Sequence, residues 1–338
     1  MQPTGSDLHI DTLLSNLSIA YMNESASYIA GKVFPVVSSN KQSDSYASYE
    51  KYAWFRDEAE KRAPLTESAG GDYAMETPPT FYCNEYAYHK DYPDEDVDNA
   101  DDVFDLDDDS TQFVTEKINI SREKRWADTF FGTGIWGTDL EGMTDAPGTD
   151  EFRVWDDYTN STPIADISDT KVLLRQATGI EPNTLIVSER VHMALANHSN
   201  VLDRYKYTQT GIITEALLAK VFEIDNYYIA KAVYATAKEG ATSQSLAYIV
   251  DQYGALLLYV NPRPSKRRPS GGYTFRWNRP RWNGKTGDRL AASIRKFRME
   301  KISGTRIEGS VYEDQKLVSS DCGIFFNNAI AAGRTITS

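Results

Sequence analysis

Apolar residues recur at two different periods along the chain, and the switches between them mark its segments. After Asp11, the residues Leu13, Leu17, Ala20 and Tyr21 fall on one face at helical spacing. Gly31 and Pro35 end that pattern. From Ser43 the helical period disappears. The stretch Ser45–Phe55 is aromatic and polar, and Thr80–His89 alternates, which puts Tyr82, Tyr86 and Tyr88 on one strand face. Arg56–Pro79 between them is charged and rich in breakers, with Gly70-Gly71 and Pro78-Pro79. Two strands joined by so long a polar tip predict an extended hairpin, and loops of that length in folded domains usually have a function.

The helical period returns after an acidic run, Asp91–Asp109, that contains no Lys or Arg. A long helix is predicted over 110–131, capped by Asp109 or Ser110, with acids at its positive end and Gly132 as its stop. At 1.5 Å per residue this is a rod of roughly 33 Å. Residues 132–162 read as an irregular Gly, Asp and Thr-rich connection. An α/β pattern follows. Helices are predicted from Ser168-Asp169 to Ala177, from Ser188-Glu189 to about Asn197, and over Thr214–Phe222. Strands are predicted at Thr184–Val187, Tyr227–Ala230, Leu246–Val250 and Leu256–Val260, and the chain from Arg298 to Asn328 reads mainly as strands. The class is α+β, with no internal repeat.

Composition narrows the function. With 338 residues, 41% of them hydrophobic and 25% charged, the chain can bury a substantial core. Its 21 Tyr suit interfaces as well as cores. The net charge of −13 disfavours general nucleic-acid binding. Cys83 and Cys322 form no metal pattern and read as free thiols of a reducing cytoplasm. No secretion signal and no membrane-length apolar run is visible, so no membrane partner is expected.

The chemical motifs are weak. Gly132-Thr-Gly-Ile-Trp-Gly137 matches a dinucleotide fingerprint, but a helix precedes it where a strand should, so it reads as a helix stop and turn. Asp94-Glu-Asp-Val-Asp98 has the acids of a calcium loop without its glycine, and reads as a solvated acidic face or a partner for basic residues. His9, His89, His192 and His198 lack zinc spacing, and Ser188 lacks a nucleophile elbow. No catalytic residue, metal or cofactor is therefore expected, and no enzyme activity. The strongest charge feature is basic. Arg263, Lys266, Arg267, Arg268, Arg276, Arg279, Arg281 and further bases to Arg298 face a single acid, Asp288, with Tyr273, Phe275, Trp277 and Trp282 interleaved. Alone this fits a single-strand nucleic-acid surface. In so acidic a chain it fits better as a surface that pairs with acidic neighbours or touches DNA non-specifically.

The order of these features resembles the major capsid proteins of tailed double-stranded DNA phages, with the Hong Kong ninety-seven-type fold. The likeness is carried by Val33-Phe-Pro-Val-Val37, Trp54-Phe-Arg-Asp57, Lys61-Arg-Ala-Pro64, Glu67-Ser-Ala-Gly-Gly71, Tyr88-His-Lys90, Gly134-Ile-Trp-Gly137, Gly179–Val187 and Gly272-Tyr-Thr-Phe275. The resemblance implies an N-terminal arm at 1–40, an extended loop at 41–90 lying across a neighbour, and a peripheral domain at 91–164 with a spine helix at 110–131. It further implies an axial domain at 165–287, return strands of the peripheral domain at 288–318, and a C-terminal segment at 319–338. The implied function is a subunit of hexamers and pentamers that tile an icosahedral shell, assembled in the host bacterial cytoplasm around double-stranded DNA. Because the arm begins so near Met1, a separate scaffolding protein is expected, along with a portal protein and, optionally, a decoration protein. The expected subunit-interface residues are Trp54, Phe55, Arg56, Lys61, Arg62, Tyr82, Tyr86, Tyr88, Arg267 and Arg268. Lys266, Arg276, Arg279 and Arg281 are the expected charge-pairing or DNA-facing set.

Overall fold

A computed structural model describes residues 22–46, 50–74, 77–98, 106–205, 214–238, 240–241, 243, 245–278 and 293–331. The apolar stripe at 13–21 and the bases Arg279 and Arg281 lie outside the described residues.

Two sheets and one long helix carry the architecture. The first sheet is built around β14 (Gly304–Leu317). One edge of β14 pairs antiparallel with β4 (Asn84–Pro93) along Gly304–Glu313. Its other edge pairs with β13 (Ser293–Met299) and then with β12 (Gly272–Trp277). Strand β1 (Val36–Ser39) adds in parallel to β12. The second sheet runs β6 (Glu151–Arg153), β5 (Thr138–Met143), β15 (Gly323–Asn327), β11 (Ala255–Leu258), β7 (Thr184–Ser188), β8 (Asn226–Ala230). Its central strands are buried on both faces, so they read as continuous apolar runs. Leu185, Val187, Leu257, Ile324 and Phe326 point into one core, while Ile186, Leu256, Leu258 and Phe325 point into another.

The long helix, α3 (Leu106–Phe130), joins the two sheets. It starts earlier than its predicted cap, because Asp107, Asp108 and Asp109 occupy its first turn, where the helix dipole favours them. Val114, Ile118, Arg122, Trp126 and Phe130 are all buried at four-residue spacing. Such a stripe drifts around a 3.6-residue helix by about 40° per step, so it meets different neighbours along its length. Val114 and Ile118 pack on Ile307 and Val311 of the first sheet. Trp126 and Phe130 pack with Phe34 and with residues under the second sheet. The helix approaches β14 closely because position 309 is glycine: a Cβ there would lie 2.6 Å from the Val114 side chain. At Gly272, a Cβ would strike the Phe34 ring at 2.3 Å.

Arg122 interrupts this apolar stripe and meets Glu313, which is fully buried. Arg125 and Arg276 reach the same carboxylate, at 2.7 and 3.6 Å. Burial alone would push the Glu313 carboxyl up; Arg122, Arg125 and Arg276 together outweigh it and hold the group below its ordinary value. Glu123, the next residue, faces the N-terminal segment. Its buried carboxylate accepts the backbone N–H groups of Ile29 and Ala30 at 2.9–3.1 Å. Those are the orphan donors at the start of α1 (Ala30–Val33). Burial raises the Glu123 carboxyl to about 7 against the opposing pull of those N–H groups.

Several predicted boundaries change. Helix α4 (Pro163–Thr178) starts five residues before Ser168, because Pro163 suits the first helical turn; Gly179 ends it in the left-handed region. Asp94–Asp98 is a short helix, α2, so its acids do not line a calcium-type loop. The predicted long hairpin is short: β2 (Ser43–Ser45) pairs with only β3 (Thr80–Tyr82), and Tyr52–Phe55 forms a 3₁₀ turn. Sheet membership also cuts across the expected segments. The connection 132–162, read as irregular, contains strands β5 and β6, which extend the sheet by parallel pairing to β15; they and β15, expected in the C-terminal segment, all join β7, β8 and β11. Strand β12, expected within 165–287, joins the spine-helix sheet instead.

Candidate assembly surfaces

The projecting loop begins from a well-packed root. Phe81 of β3 stacks on Phe275 at 4.1 Å, and Tyr46 stacks on the same ring at 5.3 Å. Lys266 closes this root from the side. It pairs with Asp44 at 2.6 Å and lies over the Phe81 ring. The hydrogen bond from Lys266 holds the Asp44 carboxyl below its ordinary value.

Beyond the root, contacts within the subunit almost vanish. Every described residue from Trp54 to Pro78 is exposed. Trp54 and Phe55 are 62% and 63% exposed, although both are large apolar side chains. Trp54 rests on its loop companion Tyr73 at 5.3 Å, and the Phe55 ring edge lies against the chain at Gly179. Arg56 pairs with Glu50 and Glu58 within the same loop. Lys61 and Arg62 are exposed at the far end. A single subunit therefore shows large apolar side chains within a loop of mixed charge that it does not cover itself.

The three tyrosines separate. Cys83 breaks the strand, so Tyr82 belongs to β3 and is half-exposed, while Tyr86 and Tyr88 belong to β4. Tyr86 lies 3.4 Å beneath the Arg125 guanidinium and packs on the α3 core, so much of its surface is used within the subunit. Tyr88 remains 42% exposed, with its ring edge to Phe113.

Charge is arranged differently from the expected contact between acidic and basic runs of neighbouring subunits. Much of it is paired within one chain. Asp91 pairs with Arg306 and Asp94 with Arg298, at 2.6 and 2.7 Å, and Asp107 pairs with Lys296. The arginine at Asp91 and the lysine at Asp107 hold those carboxyls low. Arg276 is buried against Glu313, so it pairs charge inside the subunit and offers nothing to DNA. That burial breaks the continuous basic-aromatic strip a single-strand binder would need. Arg267 and Arg268 stand exposed on the turn between β11 and β12. Substituting both with glutamate is expected to leave thermal stability within about 0.5 kcal/mol of the parent and to impair assembly. Normal circular dichroism with normal particles would contradict a contact role.

The remaining candidates are structural. Trp136 donates its indole N–H to the Phe130 carbonyl, and Gly134 adopts positive φ, so 132–137 is a helix stop and turn. His198 is buried and takes a backbone N–H from Asn200 at Nδ1, with Ser161 at Nε2. Among the described residues, no group of three or more His, Cys, Asp and Glu side chains is placed to hold a metal ion, and no helix is long and apolar enough to cross a membrane. Cys83 and Cys322 are both buried free thiols, and burial pushes the Cys83 thiol up to about 12. Freshly purified protein should therefore run identically on reducing and non-reducing gels. A dimer band that collapses with reductant would contradict this.

This arrangement has close counterparts. The major capsid protein of Burkholderia phage BcepMu is 28% identical over 274 residues, covering 79% of this chain and 83% of the relative. That of Pseudomonas phage JBD67 is 24% identical and covers 96% of this chain and 98% of the relative. The chain is homologous to phage major capsid proteins. The solved structures agree on the capsid fold. A phage-related protein from Bordetella bronchiseptica RB50 superposes with a TM-score of 0.67 at 20% identity, covering 94% of this chain and 97% of that one. The capsid of cyanophage P-SCSP1u gives 0.56 at 12% identity, covering 95% and 93%. No protein-family model matches the chain. The capsid fold, with a spine helix across a long sheet and a second mixed sheet, is the Hong Kong ninety-seven-type architecture.

The sequence reading missed two groups that hold the N-terminal segment at Ile29 and Ala30 and the first sheet to the long helix. They are Glu123 beneath Ile29 and Ala30, and Glu313 within its three arginines. The signal for Glu123 was its place next to a four-residue apolar stripe. Glu313 had no local signal, because its partners lie on α3 and β12.

Proposed function

We propose that this chain is the shell-building subunit of a tailed-phage head, forming hexamers and pentamers that close into an icosahedral shell around double-stranded DNA. Support comes first from homology to major capsid proteins along nearly the whole chain. The geometric observation that carries the reading is the exposed loop from Trp54 to Pro78. Its large apolar side chains have little cover in one subunit, and a neighbouring copy supplies it. Trp54, Phe55, Arg56, Lys61, Arg62, Tyr82 and Tyr88 are the contact residues of this reading. Tyr86 contributes by its outer edge, and Arg267 and Arg268 meet acidic groups of neighbours. Packaged DNA touches the shell non-specifically.

Assembly takes place in the host cytoplasm with a scaffolding protein, a portal protein and, in some heads, a decoration protein. The subunit performs no catalysis in this reading. The test is co-expression with the phage's scaffolding protein, followed by gradient sedimentation and negative-stain microscopy. Closed particles support the reading. Monodisperse monomer at all concentrations with scaffold present overturns it.

A further inference from the structure

The N-terminal segment ahead of β1 is held on the spine helix by two glutamates that stand two turns apart. Glu116 accepts the Asn23 backbone N–H at 3.1 Å and the Asn23 amide N–H at 3.2 Å, and it takes the Tyr28 hydroxyl as well. The Asn23 amide also pairs with the Val233 backbone, donating to its carbonyl and accepting its N–H, each at 3.0 Å. Glu123 holds the other end through Ile29 and Ala30. The two glutamates differ in burial: Glu116 is partly exposed, whereas Glu123 is 2% exposed.

Among the described residues no cation forms an ion pair with Glu123. The ionisable groups around it are engaged elsewhere or neutral. Arg122, its neighbour on the helix, turns to Glu313 at 3.0 Å. Lys124 pairs with Asp128 and lies over the Tyr234 ring. On the segment, Lys32 donates to the Ala26 carbonyl and lies over the Tyr228 ring. Burial raises the hydroxyls of Tyr28 and Tyr228, which keeps both protonated.

The hydrogen bonds at Glu123 leave room for a proton. Oε2 alone is within bonding distance of both N–H groups, 3.1 Å from Ile29 and 2.9 Å from Ala30. Oε1 shares only the Ile29 N–H, so it can carry a proton while both backbone donors stay satisfied. Ionised, the same group is a buried charge without a counter-ion, which is costly. The docked carboxyl accordingly sits at about 7 and not at 4.5.

We propose that Glu123 is a proton-operated latch: the N-terminal segment from Asn23 to Phe34 is held firmly on the spine helix while this carboxyl carries a proton, and is loosened when it gives the proton up. The O–H bond breaks and the proton leaves to water. The charge left behind is then stabilised by water, which reaches it when Ile29 and Ala30 move aside. The docked group binds its proton more tightly than a solvated glutamate does, so acid favours docking. Docking is weakest above about 7, strengthens by at most about tenfold per pH unit below it, and levels off under about 4.5. The latch lies within one subunit, so it stands or falls separately from the reading of the chain as a shell subunit.

Spin labelling of the full-length, unassembled subunit tests the latch. Met22 beside the segment is 50% exposed and the two native thiols are buried, so Met22→Cys takes the label alone. The mobile fraction of the label should grow as the pH rises through about 7. Glu123→Gln keeps an acceptor for the two N–H groups but cannot titrate, so its mobile fraction should not depend on pH across this range. A parent label whose mobility does not change across neutrality overturns the latch, and so does a transition that survives in Glu123→Gln. If Glu123→Gln does not fold, the parent chain decides. With isotope-labelled glutamate carboxyls followed by NMR, one of them should titrate near about 7. Titration of every glutamate in the ordinary carboxylate range overturns the proposal.

Discussion

A variant in which Glu58–Thr77 is replaced by a short Gly-Ser turn is expected to remain folded and to form no closed shells. The first half follows from packing. The root of the loop keeps its Phe81–Phe275 stack, its Lys266–Asp44 pair and its β2–β3 ladder, none of which lies within the replaced stretch. The replaced residues contribute almost nothing to either core, since all those described are exposed. The second half follows from entropy. Ordering a backbone costs on the order of 1–2 kcal/mol per residue, and contacts within the subunit do not offset that for a stretch of this length. Contacts with neighbours must do so, and the variant removes them. Near-parent circular dichroism with no particles by microscopy is the expected result. Normal capsids would show that the loop is no intersubunit clamp, and an unfolded variant would place it in the core.

The other large effect is expected at Glu313. Glu313→Ala leaves Arg122, Arg125 and Arg276 converging on an empty, water-poor site. Breaking a buried pair by removing one side typically costs about 3–5 kcal/mol. Three like charges around the vacancy place this case toward the upper end. Urea unfolding of the unassembled subunit should show the loss as a lowered midpoint. The pH dependence has a defined sign. The folded carboxyl titrates below its ordinary value of 4.5, so its contribution is fully present above that value. It is lost as the pH falls through the lower folded value. Glu313→Gln should therefore flatten the acid limb of the stability profile. An unchanged acid limb would show that the arginines do not hold this carboxylate charged.

How far the sequence disclosed this molecule depended on the range of the interactions involved. The spine helix was legible because its acidic first turn and its glycine stop are local, although it starts ahead of the cap read at Asp109 or Ser110, and the strands at Thr184, Tyr227 and Leu256 were legible because fully buried strands are continuous apolar runs. The start of α4 was missed where Pro163 opened the helix ahead of a more conspicuous Ser168-Asp169 pair. The hairpin was overextended because alternation in Thr80–His89 carries no record of which strand each half pairs with. Cys83 divides it between the loop root and the long sheet. Arg276 looked like a surface base because nearly every neighbour in its segment is basic. Its partner Glu313 comes from the next strand over, and only pairing brings the two together. The exposure of the loop was legible in composition, since a polar tip between aromatic flanks is a local property. Their use within the subunit, as with Tyr86 under Arg125, was not.

The central claim is that this subunit closes into a shell by laying its loop on a neighbour. A cryo-electron microscopy reconstruction of particles from the parent chain co-expressed with its scaffolding protein tests it most directly. The account predicts an icosahedral shell in which Trp54 and Phe55 are buried against an adjacent copy. A shell in which those two side chains remain solvent-exposed, or a preparation that never rises above compact monomers, would contradict it.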